Sequence, residues 1–341
     1  MNRKEGINNV MAGGGHVVIL GAGASIASTY RNSEKGGKAL PSMDNFVEVV
    51  GLQDIVDGLP DKLKARNFED LYTNIHNDNP KSHLLVEIEN RIKAYFSDMQ
   101  LPDEPTIYDY LVLALRSKDL IATFNWDPFL YQAFSRNYHV GSSPMLAFLH
   151  GSVIIGLCKE EGVRGHAGTK TKNGNIFQPT KLLYPIARKN YNDDEFIKSE
   201  WDLTKHMLSK DSGTVRVTIF GYGAPESDAE AVSLLNEAYG TSLEREMEQF
   251  EIIDIAPDEF LRQKWNGFIH THHYNTTNSY FNSSLAQNPR RTSESFFHHY
   301  QPISPGEMFR EPNPVPTNFK TLKELQDWHR PLIQAEESAS Q

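Results

Sequence analysis

The stretch HVVILGAGASIAS, residues 16–28, decides the fold. Val17, Val18, Ile19 and Leu20 are β-forming residues with no polar alternation, the mark of a strand buried on both faces in a parallel α/β sheet. Gly21 and Gly23 then allow a sharp turn and close approach of bare backbone, and Ala24 and Ser25 open a helix. In that geometry Ser25 and the amides of Ala22 to Ala24 would face a phosphate at the positive end of a helix dipole, so the expected ligand is a nucleotide. A tight β-α turn with no ligand fits the same residues. The hydride-transfer fingerprint needs a third glycine where Ile26 stands, and no Gly-Lys-Ser/Thr follows for a kinase-type phosphate loop.

Working outward, LIATF (120–124), MLAFL (145–149), TVRVTIF (214–220) and FEIIDI (250–255) read as further strands, each followed by small or polar residues and, in most cases, a helical pattern. This alternation predicts a doubly wound, Rossmann-like parallel sheet of the α/β class. Apolar spacings of three and four over about 43–117, such as Leu84, Leu85, Ile88, Ile92 and Phe96, predict a helical insertion. Residues 1–15 read as a flexible N-terminal arm, 16–256 as the nucleotide-binding domain, and 257–341 as a C-terminal appendage suited to interaction. The Gly/Lys-rich loop Arg31 to Ser42 is long enough to lie over a ligand.

A chain of 341 residues with 39% hydrophobic content can bury one large core with additions or two modest ones. The net charge of -10, with no Lys/Arg cluster, argues against a general nucleic-acid binder. Cys158 is the sole cysteine, which excludes a disulfide framework and a thiolate zinc site. His270 and His272 would share one strand face, but no carboxylate or cysteine follows at a familiar ligand spacing, so no metal is expected. No segment has the run of about 18 apolar residues that a membrane span needs, and the N-terminus lacks a secretory apolar run. The expectation is a cytoplasmic protein with no membrane contact.

Three strand ends carry unusual residues: Gly21-Ala22-Gly23-Ala24-Ser25, Thr123-Phe124-Asn125-Trp126-Asp127 and Leu149-His150-Gly151. Singly, Asn125 reads as a turn residue, Asp127 as a helix cap and His150 as a core histidine. Together and in this order they resemble the signatures of the sirtuin family: a GAG-x-S turn, a T-x-N-x-D strand end and a following His-Gly. FGYGAPESD (220–228) is similar to the strand end of bacterial sirtuin-like NAD hydrolases. The departures are a missing four-cysteine zinc ribbon and Phe124 where sirtuin deacylases usually have Gln, both of which weigh against acyl-lysine removal.

The resemblance implies NAD as substrate, Asn125 and His150 as catalytic residues, and Thr123, Asp127, Gly221 and Tyr222 around the cofactor. Asp254, at the end of the fifth strand, is a further candidate for the adenosine ribose, with a capping role as its alternative. The implied activity is NAD+ cleavage to nicotinamide and ADP-ribose in antiphage abortive infection, held in check by homo-oligomerisation or by an ATPase or helicase-like partner. The alternatives are a subunit that binds NAD or ADP-ribose without turnover, and an ADP-ribosyltransferase.

Overall fold

A computed structural model describes residues 3–29, 38–186, 191–224, 228–245, 249–270, 274–300 and 312–340, with only the backbone described at 298–300. Most of the expected covering loop, Ser227, His272 and His273 lie outside the described residues, as do the side chains of His298 and His299.

Six strands form the central sheet: β1 (Gly15–Leu20), β2 (Leu120–Thr123), β3 (Met145–Phe148), β7 (Thr214–Phe220), β8 (Gln249–Ile253) and β9 (Tyr274–Thr277). A small second sheet joins β4 (Ile155–Cys158), β5 (Val163–His166) and β6 (Gln178–Pro179) in the order β5-β4-β6. The main sheet has the order β3-β2-β1-β7-β8-β9, and every neighbouring pair is parallel. This is the doubly wound α/β architecture. All six residues of β1 are buried; because successive side chains point to opposite faces, both faces of the sheet are covered there. The helix Glu195–Leu208 packs on β1, β2, β3 and β7, and the helix Thr292–Tyr300 on β1 and β7.

Strand order reverses at β1, whose neighbours are β2 on one side and β7 on the other. A cavity lies at the carboxyl ends of these strands, the usual ligand position in such sheets. Between β1 and β2 the chain makes the α-helices Ala22–Thr29, Phe46–Val50, Gln53–Asp57, Phe68–Asp78, His83–Ser97 and Ile107–Leu113. Their apolar faces join the main core through Phe46, Phe68, Ile92 and Phe96.

Two segments are more integrated than their composition implies. Arg3–Asn8 is a helix packed against the C-terminal helix Leu322–Ala339, with the Arg3 guanidinium over the Trp328 ring and the Ile7 carbonyl accepting from Arg291. The expected arm is therefore anchored, by cation-π and backbone contacts that a polar composition does not advertise. Beyond residue 256, β9 pairs in parallel with β8 from Phe250↔Tyr274 to Ile253↔Thr277, so the 256/257 boundary crosses the sheet. Buried Glu336 on the last helix accepts from Arg290 and Arg291, tying that end to the core. Among the described residues no helix is long and apolar enough to cross a membrane.

Candidate active site at the strand tips

The crevice at the sheet's carboxyl edge holds a cavity of about 300 Å3. Gly21, Ala22 and Ser25 line it from the β1 turn, Asn125 and Asp127 from the β2 tip, His150 from the β3 tip, and Gly221 and Tyr222 from the β7 tip. The helical insertion adds Met43, Phe46, Asn67, Glu69 and Phe96, and the remaining wall includes Phe124, Trp126 and Asp228. Thr123, Gly23, Ala24 and Asp254 do not line it.

The glycine turn is built differently from the phosphate cradle expected of it. The Gly21 amide donates to the Phe220 carbonyl at 3.0 Å, Gly23 to Gly221 at 2.9 Å and Ala24 to Gly21 at 3.0 Å. Two of the three amides assigned to phosphate are thus engaged within the chain. A Cβ on Gly21 would lie 2.5 Å from the Tyr222 Cα, and one on Gly23 2.8 Å from the Gly221 Cα. These glycines let the β1 and β7 tips close on each other, a demand of packing that the local sequence does not reveal.

Ser25 is likewise turned inward. Its hydroxyl, buried, donates to Asp127 Oδ2 at 2.7 Å and lies 2.7 Å from the Tyr108 hydroxyl. The Asn125 carboxamide nitrogen donates to the Gly21 carbonyl at 2.8 Å and to Ser25 Oγ at 2.9 Å, and the Asn125 amide donates to Thr123 Oγ1. With both carboxamide N–H groups committed, the orientation of Asn125 is set from below. Asp127 Oδ1 also accepts from the amide of Phe129, the first residue of the helix Phe129–Asn137, whose N-cap position is taken by Pro128. Burial pushes the Asp127 carboxyl up to about 6, against the pull of the Ser25 hydrogen bond.

His150 is held between rings: Phe124 meets it edge-on at 4.8 Å and Tyr191 lies parallel to it at 6.1 Å. Its Nε2 lies 3.9 Å from Asp228 Oδ1. Gly151 follows with φ +77°, and its Cβ position is blocked by the Lys181 carbonyl, so glycine is required for the turn that aims His150. Tyr222 stacks on Phe124 at 4.2 Å and donates its hydroxyl to Asp228 Oδ2 at 3.0 Å. Burial, then the Asp228 charge, holds the Tyr222 phenol well above its ordinary range.

Thr123 contributes through Asn125 rather than by facing the cavity. Asp254 lies just past the end of β8 with its carboxylate accepting from the Ala256 amide at 2.9 Å, a local turn; the next helix, Asp258–Lys264, has Pro257 at its N-cap position, so Asp254 does not cap it. Three side chains were not singled out for the site by the sequence. Ser227 or Asp228 reads as the cap of a helix over Ala229 to Ala238, yet the Asp228 carboxylate makes no cap hydrogen bond to the helix Ala229–Tyr239. Tyr108 lies in an apolar helical pattern, and Glu69 on an amphipathic helix; only the fold brings them to the strand tips. Among the described residues lining the cavity there is no Lys or Arg, and no group of three or more potential metal ligands occurs among the described residues.

No family model and no curated protein matches the chain. Among solved structures it is similar to "Sir2 bound to acetylated peptide", at 12% identity and a TM-score of 0.36 over 82% of this chain and 93% of that one. It is also similar to "Sir2-p53 peptide-NAD+", at 12% identity and a TM-score of 0.33 over 81% of this chain and 90% of that one.

Proposed function

We propose that the chain is an NAD glycohydrolase, converting NAD+ and water to nicotinamide and ADP-ribose. The observation that supports this most is that Asn125 and His150, from separate strand ends, line one cavity with the Gly21 turn. The glycosidic bond breaks with its electron pair going to the ring nitrogen, leaving neutral nicotinamide and an oxocarbenium-like ribose. Water then bonds to the anomeric carbon and releases a proton.

Asn125, fixed through its carboxamide nitrogen, presents a neutral oxygen that can orient the ribose hydroxyls or the water. His150 accepts the proton. Phe124, Trp126, Phe46 and Phe96 supply apolar walls for the nicotinamide ring, and the carboxylates of Glu69 and Asp228 favour its positive charge. An NAD hydrolase must be restrained in its host, so the proposal includes control by self-association or by an ATPase or helicase-like partner, in abortive-infection defence.

The test is nicotinamide release from NAD+ by the pure protein and by the His150→Ala and Asn125→Ala variants. Turnover lost in both variants is expected. Binding of NAD+ with no release from the wild type, alone or with its partner, would favour a regulatory binding subunit, and label retained on protein would favour ADP-ribosyl transfer.

A further inference from the structure

Asp228 immediately precedes the helix Ala229–Tyr239, where an aspartate ordinarily accepts from the amides of the first turn. Here it makes no such bond, and its carboxylate turns into the cavity, with the side chain 8% exposed. One oxygen accepts from the Tyr222 hydroxyl at 3.0 Å; the other lies 3.9 Å from His150 Nε2. Tyr222 is itself clamped by stacking on Phe124, and Phe124 meets the His150 ring edge-on, so one packed unit sets both the carboxylate and the imidazole.

We propose, resting on the reading of His150 as the proton acceptor, that Asp228 is its positioning residue: a carboxylate fixed by Tyr222 that orients the imidazole and stabilises the imidazolium once the proton arrives. At 3.9 Å the pair is beyond hydrogen-bond range and within ion-pair reach. The carboxylate therefore acts on the charged ring and takes no proton itself. The proton moves from the attacking water to His150 and later to solvent, while Asp228 keeps its hydrogen bond from Tyr222.

Among the described residues, the other ionisable groups facing this part of the cavity include Tyr191, Tyr222, Asp127 and Glu69. Tyr191 and Tyr222 are phenols held neutral by burial. Asp127 is engaged with Ser25 and the Phe129 amide. Glu69 lines the cavity from the helix Phe68–Asp78.

The experiment is an NMR titration of the His150 ring, assigned by its loss in His150→Ala, in the wild type, Asp228→Asn and Asp228→Glu. It runs beside the pH profile of nicotinamide release. Asp228→Asn keeps the shape and an acceptor for Tyr222 while removing the charge. Its His150 midpoint is expected to fall by about 1 pH unit, the usual effect of losing an opposite charge at this range. The acid limb of kcat should move with it, while Asp228→Glu keeps the midpoint near that of the wild type. An unchanged midpoint in Asp228→Asn overturns the proposal. If the wild type releases no nicotinamide at any pH, the hydrolase reading fails, and the titration still decides the pairing by itself.

Discussion

The Gly23 amide donates to the Gly221 carbonyl oxygen at 2.9 Å, joining the tip of β1 to the tip of β7. Gly221 has φ +59°, and a Cβ there would collide with the Ala24 amide nitrogen. The two loops are therefore one structural unit whose small residues serve backbone-to-backbone contact within the chain, with the cavity formed beside it.

Gly221→Ala is expected to destabilise the protein by more than about 2 kcal/mol, from a strained φ combined with a backbone collision. Urea unfolding of the variant checks this. Unchanged stability would mean that the β1 and β7 tips do not meet as described.

Asp127 carries a pH signature. Its folded value is raised to about 6 by burial, from an ordinary value of 3.8. A raised carboxyl favours the fold at low pH, and that advantage is lost as pH rises from 3.8 through about 6. Asp127→Asn removes this dependence, so the variant should gain on the wild type over that window by up to about 3 kcal/mol. Stability measured at pH 4 and pH 7 tests it; a gap that does not change with pH contradicts it.

His329 has the opposite sign. Buried on the C-terminal helix, its imidazole is lowered to about 3 by desolvation. A depressed histidine stays neutral in the fold while the unfolded chain protonates near 6.5, so stability falls as pH drops from 6.5 to about 3. The stability difference between wild type and His329→Gln should shift against the wild type by about 1.4 kcal/mol per pH unit in that window. A flat difference would contradict the burial.

The C-terminal helix is expected to be indispensable. Arg290 and Arg291 are buried, and both donate to Glu336, at 2.5 Å and 2.6 Å for the shorter bonds. Glu336→Gln leaves two buried guanidinium groups short of a counter-charge and should cost about 3–5 kcal/mol. A thermal melt indistinguishable from wild type would show that this cluster does not hold the fold.

Strand β1 was legible because its unbroken apolar run leaves few other readings, and β7 because Val215, Val217 and Ile219 recur at a strand's period of two; residues at both ends line the cavity. Local pattern was least informative where contacts span the chain. The short, polar stretch Tyr274–Thr277 hides an edge strand whose partner is β8. The sequence suggests a short last helix, Leu322 to Trp328, yet that helix runs on through Pro331 to Ala339. The inward turn of Ser25 could not be read either: Tyr108 and Asp127, which receive it, lie 83 and 102 residues away.

The account is tested most directly by a crystal structure of His150→Ala with NAD+. The expected result is the nicotinamide riboside half in the cavity between Phe124 and Trp126, with the ribose or a water on the Asn125 carboxamide oxygen. A dinucleotide bound away from Asn125, or no binding while the cavity stays open, would contradict it.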